Sequence, residues 1–342
     1  MNAASLPSGG RYPAAVKIIG TGSHEPRPGM PFAASRRRTS REPLDDAALA
    51  SALLPGSRLY TGVRVVAQTG STNADLLAAA RGGAAAGAVL VAEEQTAGRG
   101  RLDRSWQSQP GAALTFSVLL RPAAVPPANR GWLPLLSGVA AASALRAETG
   151  VDARLKWPND VLAGLGGQDD SAPDDRGPRV PGGGEGANDR APVDGKLAGI
   201  LAEQAADAVV VGIGLNVTST RDELPSERAT SLWLAGAAAP DRQSILVAIL
   251  SHLEHWYLRW AEGPLPGDAT ASGLREEYLR WCATVGRDVR VELPGAGILT
   301  GRAIDVDSVG RLVVRAVQAG SASGPGDGRL HPVSAGDVVH VR

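Results

Sequence analysis

"EEQTAGRGRLDRSW", residues 93–106, places Arg99, Arg101 and Arg104 around Gly98 and Gly100, directly after an apolar run. Such glycines let backbone N–H groups close on an anion, and the arginines neutralise its charge. A phosphate cradle, a nucleic-acid contact and a solvated turn all fit this stretch taken alone. Three more polar islands sit at strand ends or a helix start: Ser71-Thr72-Asn73, Lys156 through Asp160 ("KWPND"), and Lys196 with Asn216. Singly they read as a helix cap, a strand-end turn and a solvated strand residue. Together they describe a site for a neutral hydrogen-bonding ligand and a phosphate ester. Hydroxyls and an amide at a helix N-terminus suit a polar, uncharged head group. A lysine held on a strand can bridge two anionic groups that must react with each other. Lysine is also scarce. Lys17, Lys156 and Lys196 are the only lysines among 35 cationic Lys and Arg residues. In so Arg-rich a chain, Lys156 and Lys196 mark positions where a planar fork does not replace a compact ammonium.

The elements that must position these islands are legible as patterns. "VRVVAQ" is a strand, and "STNADLLAAARGG" is a helix with a Ser/Thr cap and a Gly stop. "GAVLVAEEQ" is a buried strand that delivers the arginine loop. "ALTFSVLLRP" alternates, and "WLPLLSGVAAASALRAETG" has helical period ending at Gly150. "ARLKWPNDVLA" and "GKLAGILAEQ" read as two paired strands, and "DAVVVGIGLNV" as a buried one. Two amphipathic helices follow. After Val285 come short strands with turns every ten or so residues, a small all-β module. Residues 1–57 read as a weakly structured tail with a short helix at 45–54. The expected divisions are 1–57, a mixed α/β catalytic domain over 58–283 with helices on one face of its sheet, and a β domain over 284–342. The Gly-, Pro- and Asp-rich stretch 165–195 reads as a disordered insertion in a hairpin.

Several other patterns carry little. The near-neutral pI of 7.0 does not favour polyanion binding. The apolar runs are too short to span a bilayer and no secretory signal is visible, which points to a cytoplasmic protein with no membrane partner. One cysteine, Cys282, excludes an internal disulfide and a cysteine zinc cluster. Gly212 and Gly214 lack the third glycine and the helix of a dinucleotide fingerprint. His252 and His255 lack a third metal ligand.

In order, "STN", "QTAGRGRLDRSW", "KWPNDVL", "KLAGILAE" and "VGIGLNV" closely resemble the biotin protein ligases, over about 60–282. The C-terminal β module resembles the SH3-like domain that follows in that family. The resemblance implies an α/β fold: a mixed sheet with helices, biotin/lipoate-ligase-like and class II synthetase-like, with a C-terminal SH3-like barrel. It implies two steps. Biotin and ATP give biotinyl-5′-AMP and pyrophosphate. Biotin then passes to a lysine of a biotin carboxyl carrier domain, of an acyl-CoA or pyruvate carboxylase. By resemblance Ser71, Thr72, Asn73, Gln95, Arg99, Gly100, Arg101 and Lys196 bind biotin or fold over its adenylate. Asn216, Asp160, Trp157, Asn159 and Lys156 lie on the nucleotide side. Lys196, Arg101 and Asp160 are the catalytic set, with Asp160 near Mg²⁺ held through the phosphates. Asp103 departs from the family loop, which usually has Gly there, a residue tolerant of positive φ.

Three rival readings remain at this level. A lipoate ligase forms an acyl-adenylate on a similar fold, but the whole arginine loop and the β tail favour biotin. A bifunctional repressor would need an N-terminal helix-turn-helix, which residues 1–57 do not display. A nucleic-acid contact is disfavoured by neutral charge and by the lack of aromatics inside the loop. The scarcity of lysine yields a prediction. Lys196→Arg should lose most acyl-adenylate formation in a single-turnover assay although the charge is kept. Near-normal turnover would remove the reason for singling out this lysine.

Overall fold

The two-residue period of the strands decides the architecture. In the computed structural model, residues 41–102, 104–163, 195–293, 297–316, 328–334 and 336–341 are described. Seven strands form one sheet: β1 (Gly62–Thr69), β2 (Ala88–Gln95), β3 (Ala113–Leu120), β4 (Ala153–Lys156), β5 (Asp160–Ala163), β6 (Lys196–Ala205) and β7 (Ala208–Asn216). Their order is β1-β2-β3-β7-β6-β5-β4. Only β1 and β2 pair in parallel, with helix α2 (Thr72–Arg81) as their crossover. The two central strands, β3 and β7, are buried along their whole length. They therefore need cover on both faces.

That cover differs from the one-faced expectation. Val89, Val91, Phe116, Val118, Val211 and Ile213 join the main core beneath α1 (Asp46–Leu53), α3 (Trp132–Thr149) and α4 (Arg242–Ala261). The alternate residues Leu90, Leu119 and Val210 face the other way and pack on Leu76, Leu77 and Ala80 of α2. Helices thus lie on both faces, because the strand pattern is apolar at odd and even positions alike. The segment "ARLKWPNDVLA" is also two strands rather than one. β4 and β5 pair antiparallel around Trp157-Pro158-Asn159, with Lys156 opposite Asp160. The β5–β6 connection is closed at its base by Ala163 N–H donating to Gly195 O at 2.8 Å; apart from Gly195, the expected insertion over 165–195 lies outside the described residues.

The expected helix near 45–54 is α1. Asp45 caps it by accepting from Ala48 N at 3.0 Å, and Leu49 and Leu53 are buried in the main core. The expected boundary at 58 therefore falls within packed structure. Residues before α1 are locked by a buried pair. Arg242, 4% exposed, donates to Glu93 Oε2 at 2.6 Å and to Glu42 O. Glu93 Oε1 in turn accepts from Leu44 N at 2.7 Å. Arg41 forms two bonds to Glu223, at 2.9 and 2.6 Å.

Helix α5 (Leu274–Trp281) leads into a second sheet: β8 (Asp288–Leu293), β9 (Gly297–Val306), β10 (Leu312–Ala316), β11 (Leu330–Val333) and β12 (Asp337–His340). It is antiparallel, in the order β11-β10-β9-β8-β12, so β11 and β12 are its edges among the described residues. Indoles from the β4–β5 turn and from α3 fasten it to the body. Trp157 Nε1 donates to Gly310 O at 3.0 Å and Trp132 Nε1 to Ser308 O at 2.8 Å. The Arg275 guanidinium donates to Val306 O and to both Asp305 oxygens.

Removing one member of a buried ion pair leaves the other charge uncompensated, at a cost of about 3–5 kcal/mol. Glu93→Ala should lower unfolding stability in urea by about that amount, because Arg242 loses its partner and the segment before α1 loses its tie. A loss near zero would mean that this pair does not hold the segment.

Candidate active site

A pocket opens on the α2 face, beyond the N-terminus of that helix. The strand rows that form its floor are small. Thr115, Gly214, Gly199 and Asp160 lie side by side across β3, β7, β6 and β5, and the next row holds Ser117, Gly212 and Leu201. On the opposite face the same strands carry Phe116, Val211 and Ile213. The glycines of "VGIGLNV" thus hold open space rather than a pyrophosphate. A Cβ on Gly212 would overlap the Asn73 amide oxygen, and one on Gly214 would overlap the Trp106 indole. The remaining cavity is about 130 Å³.

One end of the pocket is a closed hydrogen-bond network. Ser71 is the N-cap of α2, as its sequence position requires. Gln95 Oε1 accepts from Thr72 N at 2.8 Å and lies 3.1 Å from Thr72 Oγ1. Ser117 Oγ donates to Asn73 Oδ1 at 2.6 Å. Thr72 Oγ1 also lies 2.7 Å from Ser117 Oγ, so its single proton serves either this contact or Gln95 Oε1. Asn73 Nδ2 donates to Glu203 Oε2 at 2.8 Å and to Leu201 O, which fixes the amide orientation. Ser71, Thr72 and Asn73 are all buried. This end is rigid, neutral at its floor and rich in hydrogen-bonding groups.

The other end is charged. Lys196 Nζ lies 2.6 Å from Asp160 Oδ1. Gly199 lets the lysine stem lie flat, since a Cβ there would sit 3.3 Å from both Cε and Nζ. The backbone of Lys196 is held by Arg228 O and by Thr230 N–H, at 2.7 and 2.9 Å. Asn159 bonds twice to Ile200, through its backbone carbonyl and its Nδ2, and its Oδ1 accepts from Arg101 at 3.1 Å. Burial pushes the Arg101 guanidinium below its usual pKa, against the pull of Asp160 and Asp337.

The arginine loop is a small hairpin across the pocket. Arg99 bridges Ser105, Gly100 N donates to Arg104 O at 2.6 Å, and Trp106 N donates to Gly98 O at 2.9 Å. Arg99 approaches Glu203 at 3.7 Å, and Arg104 pairs with Asp337. Leu102 at the tip has φ 55°, a left-handed conformation that costs a non-glycine residue roughly 1–2 kcal/mol. Asp103 lies outside the described residues.

Of the residues singled out in the sequence, Ser71, Thr72, Asn73, Gln95, Arg99, Gly100, Arg101, Asn159, Asp160 and Lys196 all line this pocket. Trp157, Lys156 and Asn216 do not. The Trp157 indole is buried at 1% exposure, pointing back to Gly310. Asn216 is buried and spends its Nδ2 on Thr230 O at 2.9 Å, holding the loop after β7. Lys156 sits opposite Asp160 on β4, and burial lowers its pKa. Trp106, Thr115, Ser117 and Asp337 are lining residues that the sequence did not single out. The alternation of β3 could have offered Thr115 and Ser117, but nothing local marks Asp337.

The sequence matches the biotin/lipoate A/B protein ligase family over residues 66–217. It is 42% identical over 312 residues to the biotin–[acetyl-CoA-carboxylase] ligase of Mycobacterium tuberculosis, covering 88% of this chain and 97% of that one. The chain belongs to the biotin protein ligases. It is 30% identical over 258 residues to the bifunctional ligase/repressor BirA of Bacillus spizizenii, covering 73% of this chain and 67% of that protein. Among solved structures, the biotin protein ligase of Aquifex aeolicus in complex with biotin and ATP superposes with a TM-score of 0.60 at 25% identity, covering 83% of this chain and all of that one.

In this biotin protein ligase the hairpin is seated by space as much as by charge. Gly214→Ala should drive Trp106 off the floor. Amide hydrogen exchange at Gly100 and Trp106, whose N–H groups close the hairpin, should then rise while the strands of the sheet stay protected. Unchanged exchange at these two amides would show that Gly214 does not seat the hairpin.

Proposed function

We propose that this protein is an ATP-dependent biotin protein ligase that makes biotinyl-5′-AMP in the pocket described and passes biotin to a lysine of a biotin carboxyl carrier domain. The observation that carries the reading is the two-ended pocket. A neutral, preorganised hydrogen-bonding floor lies at one end and a strand lysine at the other, beneath three arginines, in a chain 42% identical to a biotin–[acetyl-CoA-carboxylase] ligase. The ureido ring of biotin is a small, uncharged group with donors and an acceptor. It suits the end built from Ser71, Thr72, Asn73, Gln95 and Ser117. The valerate carboxylate then points toward Lys196.

The first step joins two anions. A biotin carboxylate oxygen attacks the α-phosphorus of ATP, the bond from that phosphorus to the β-phosphate bridge breaks, and pyrophosphate leaves. Lys196 and Arg101 reduce the repulsion between carboxylate and phosphate. In exchange, Lys196 gives up its pairing with Asp160. In the second step a neutral lysine amine of the carrier attacks the acyl carbon. The acyl–phosphate bond breaks, AMP leaves, and the amine loses a proton. The hairpin keeps water from the anhydride between the two steps. Mg²⁺ is assigned to the phosphates of ATP. Among the described residues there is no group of three or more His, Cys, Asp or Glu side chains that could hold a metal. Asp160 has no two further ligating side chains grouped with it among the described residues, so it would meet the ion only through the phosphates, and no step here runs through the ion.

We place the reaction in the cytoplasm, with acyl-CoA or pyruvate carboxylases as the source of the carrier domain. Among the described residues no helix is long and apolar enough to cross a membrane.

Incubation with biotin and MgATP should yield biotinyl-adenylate by mass and release pyrophosphate. In thermal shift, biotin should stabilise the protein and lipoate should not. Stabilisation by lipoate alone would transfer the reading to lipoate ligation. The hairpin yields a further expectation. A charged hydrogen bond from Arg101 contributes about 1.5–3 kcal/mol. Arg101→Gly should therefore release adenylate on the order of ten- to a hundredfold faster, and the freed anhydride should label lysines of a bystander protein. Equal retention by the variant would show that Arg101 does not hold the intermediate.

A further inference from the structure

Asp337 belongs to β12, an edge strand of the C-terminal sheet, yet with Gly336 it lines the pocket of the first sheet. Its carboxylate is paired with Arg104 on the return arm of the hairpin. Its charge also favours the protonated forms of Arg101 and Lys156. The strand that carries it is a fixed post. Trp157, Trp132 and Arg275 bond the C-terminal sheet to the body. The two also meet closely, for a Cβ on Gly131 would lie 2.9 Å from Val309 O. The hairpin is held far less firmly. Besides the Trp106 indole packed over Gly214, its polar side-chain ties to the first sheet are Arg101 to Asn159 at 3.1 Å and Arg99 to Glu203 at 3.7 Å. Its tip residue, Leu102, is exposed and left-handed.

Arg104 is the lever between post and hairpin. Its carbonyl accepts from Gly100 N at 2.6 Å, and its N–H donates to Arg101 O at 3.3 Å. Fixing Arg104 therefore fixes the turn from which Arg101 projects. We propose that Asp337 is a positioning residue of the ligase reaction: through Arg104 it latches residues 98–106 onto the C-terminal sheet, so that Arg101 is held over the acyl-adenylate. This role rests on the ligase reading above. It gives the C-terminal module a part in retaining the intermediate. It also accounts for an acid beside a phosphate-binding pocket, since the Asp337 charge is satisfied by Arg104.

The test uses the full chain as wild type, as Asp337→Asn and as the exchanged pair Arg104→Asp with Asp337→Arg. Amide hydrogen exchange over 98–106 is followed without ligand, and the dissociation rate of biotinyl-adenylate is followed in parallel. Asp337→Asn should speed exchange at Gly100 and Trp106 about tenfold, and adenylate loss by a similar factor. The exchanged pair should restore slow exchange, which a merely structural role for Asp337 would not do. Wild-type exchange in Asp337→Asn overturns the latch, and so does fast exchange that persists in the exchanged pair. Should wild type form no adenylate, the ligase reading falls, while the exchange measurements still decide the latch.

Discussion

The site depends on one constraint: β3 and β7 lie in the middle of a seven-stranded sheet and are covered on both faces. Strand geometry sends alternate side chains to opposite sides. One face spends its positions on Val, Leu, Ile and Phe against α1, α3 and α4. The other divides them. Toward the C-terminal half of α2 it is apolar, with Leu119 and Val210. Toward the helix N-terminus it is Thr115, Ser117, Gly212 and Gly214. The large side chains carry the stability, and the small ones leave a hollow that cannot collapse. A slip of one residue in either strand would fill the hollow and hollow out the core.

Three of the four cations named in the site have a carboxylate partner before any ligand enters. Lys196 faces Asp160, Arg104 faces Asp337, and Arg99 leans toward Glu203. Arg101 has a neutral partner, Asn159. Unpaired cations this close would repel one another and pull the hairpin open. Paired, they can hold one geometry and exchange partners when an anion arrives. The carboxylates come from β5, β6 and β12, and those of β6 and β12 reach the loop of Arg and Gly from two separate sheets.

Much of this was legible in the sequence, for physical reasons. Caps, alternation and glycine punctuation are local, so α2 with its Ser71 cap, the arginine loop and the β-rich C-terminus read correctly. Side-chain direction was harder. "KWPND" holds four polar or turn-forming residues around one Trp, yet only Asn159 and Asp160 reach the lined pocket surface, and Trp157 turns toward the second sheet. The glycines of β7 were visible but their purpose was not, since the side chains they admit come from residues 73 and 106. Helix α1 was assigned to a tail because what holds it, Leu49 and Leu53 in the main core and the Glu93–Arg242 pair on the segment before it, involves distant segments. Asp337 was silent, as it joins the site only through the packing of one sheet on another.

The base of the β5–β6 connection has a consequence for how such chains vary. Ala163 and Gly195 close the hairpin with their own backbone bond, which ties the facing ends of the two strands together. Chain-closure entropy grows only with the logarithm of length, about 0.6 kcal/mol for each doubling. Residues 164–194 therefore occupy a place where length is nearly neutral to the scaffold. Drift, duplication or the splicing-in of a foreign domain can proceed there while Asp160 and Lys196, which lie just outside that base, keep their separation.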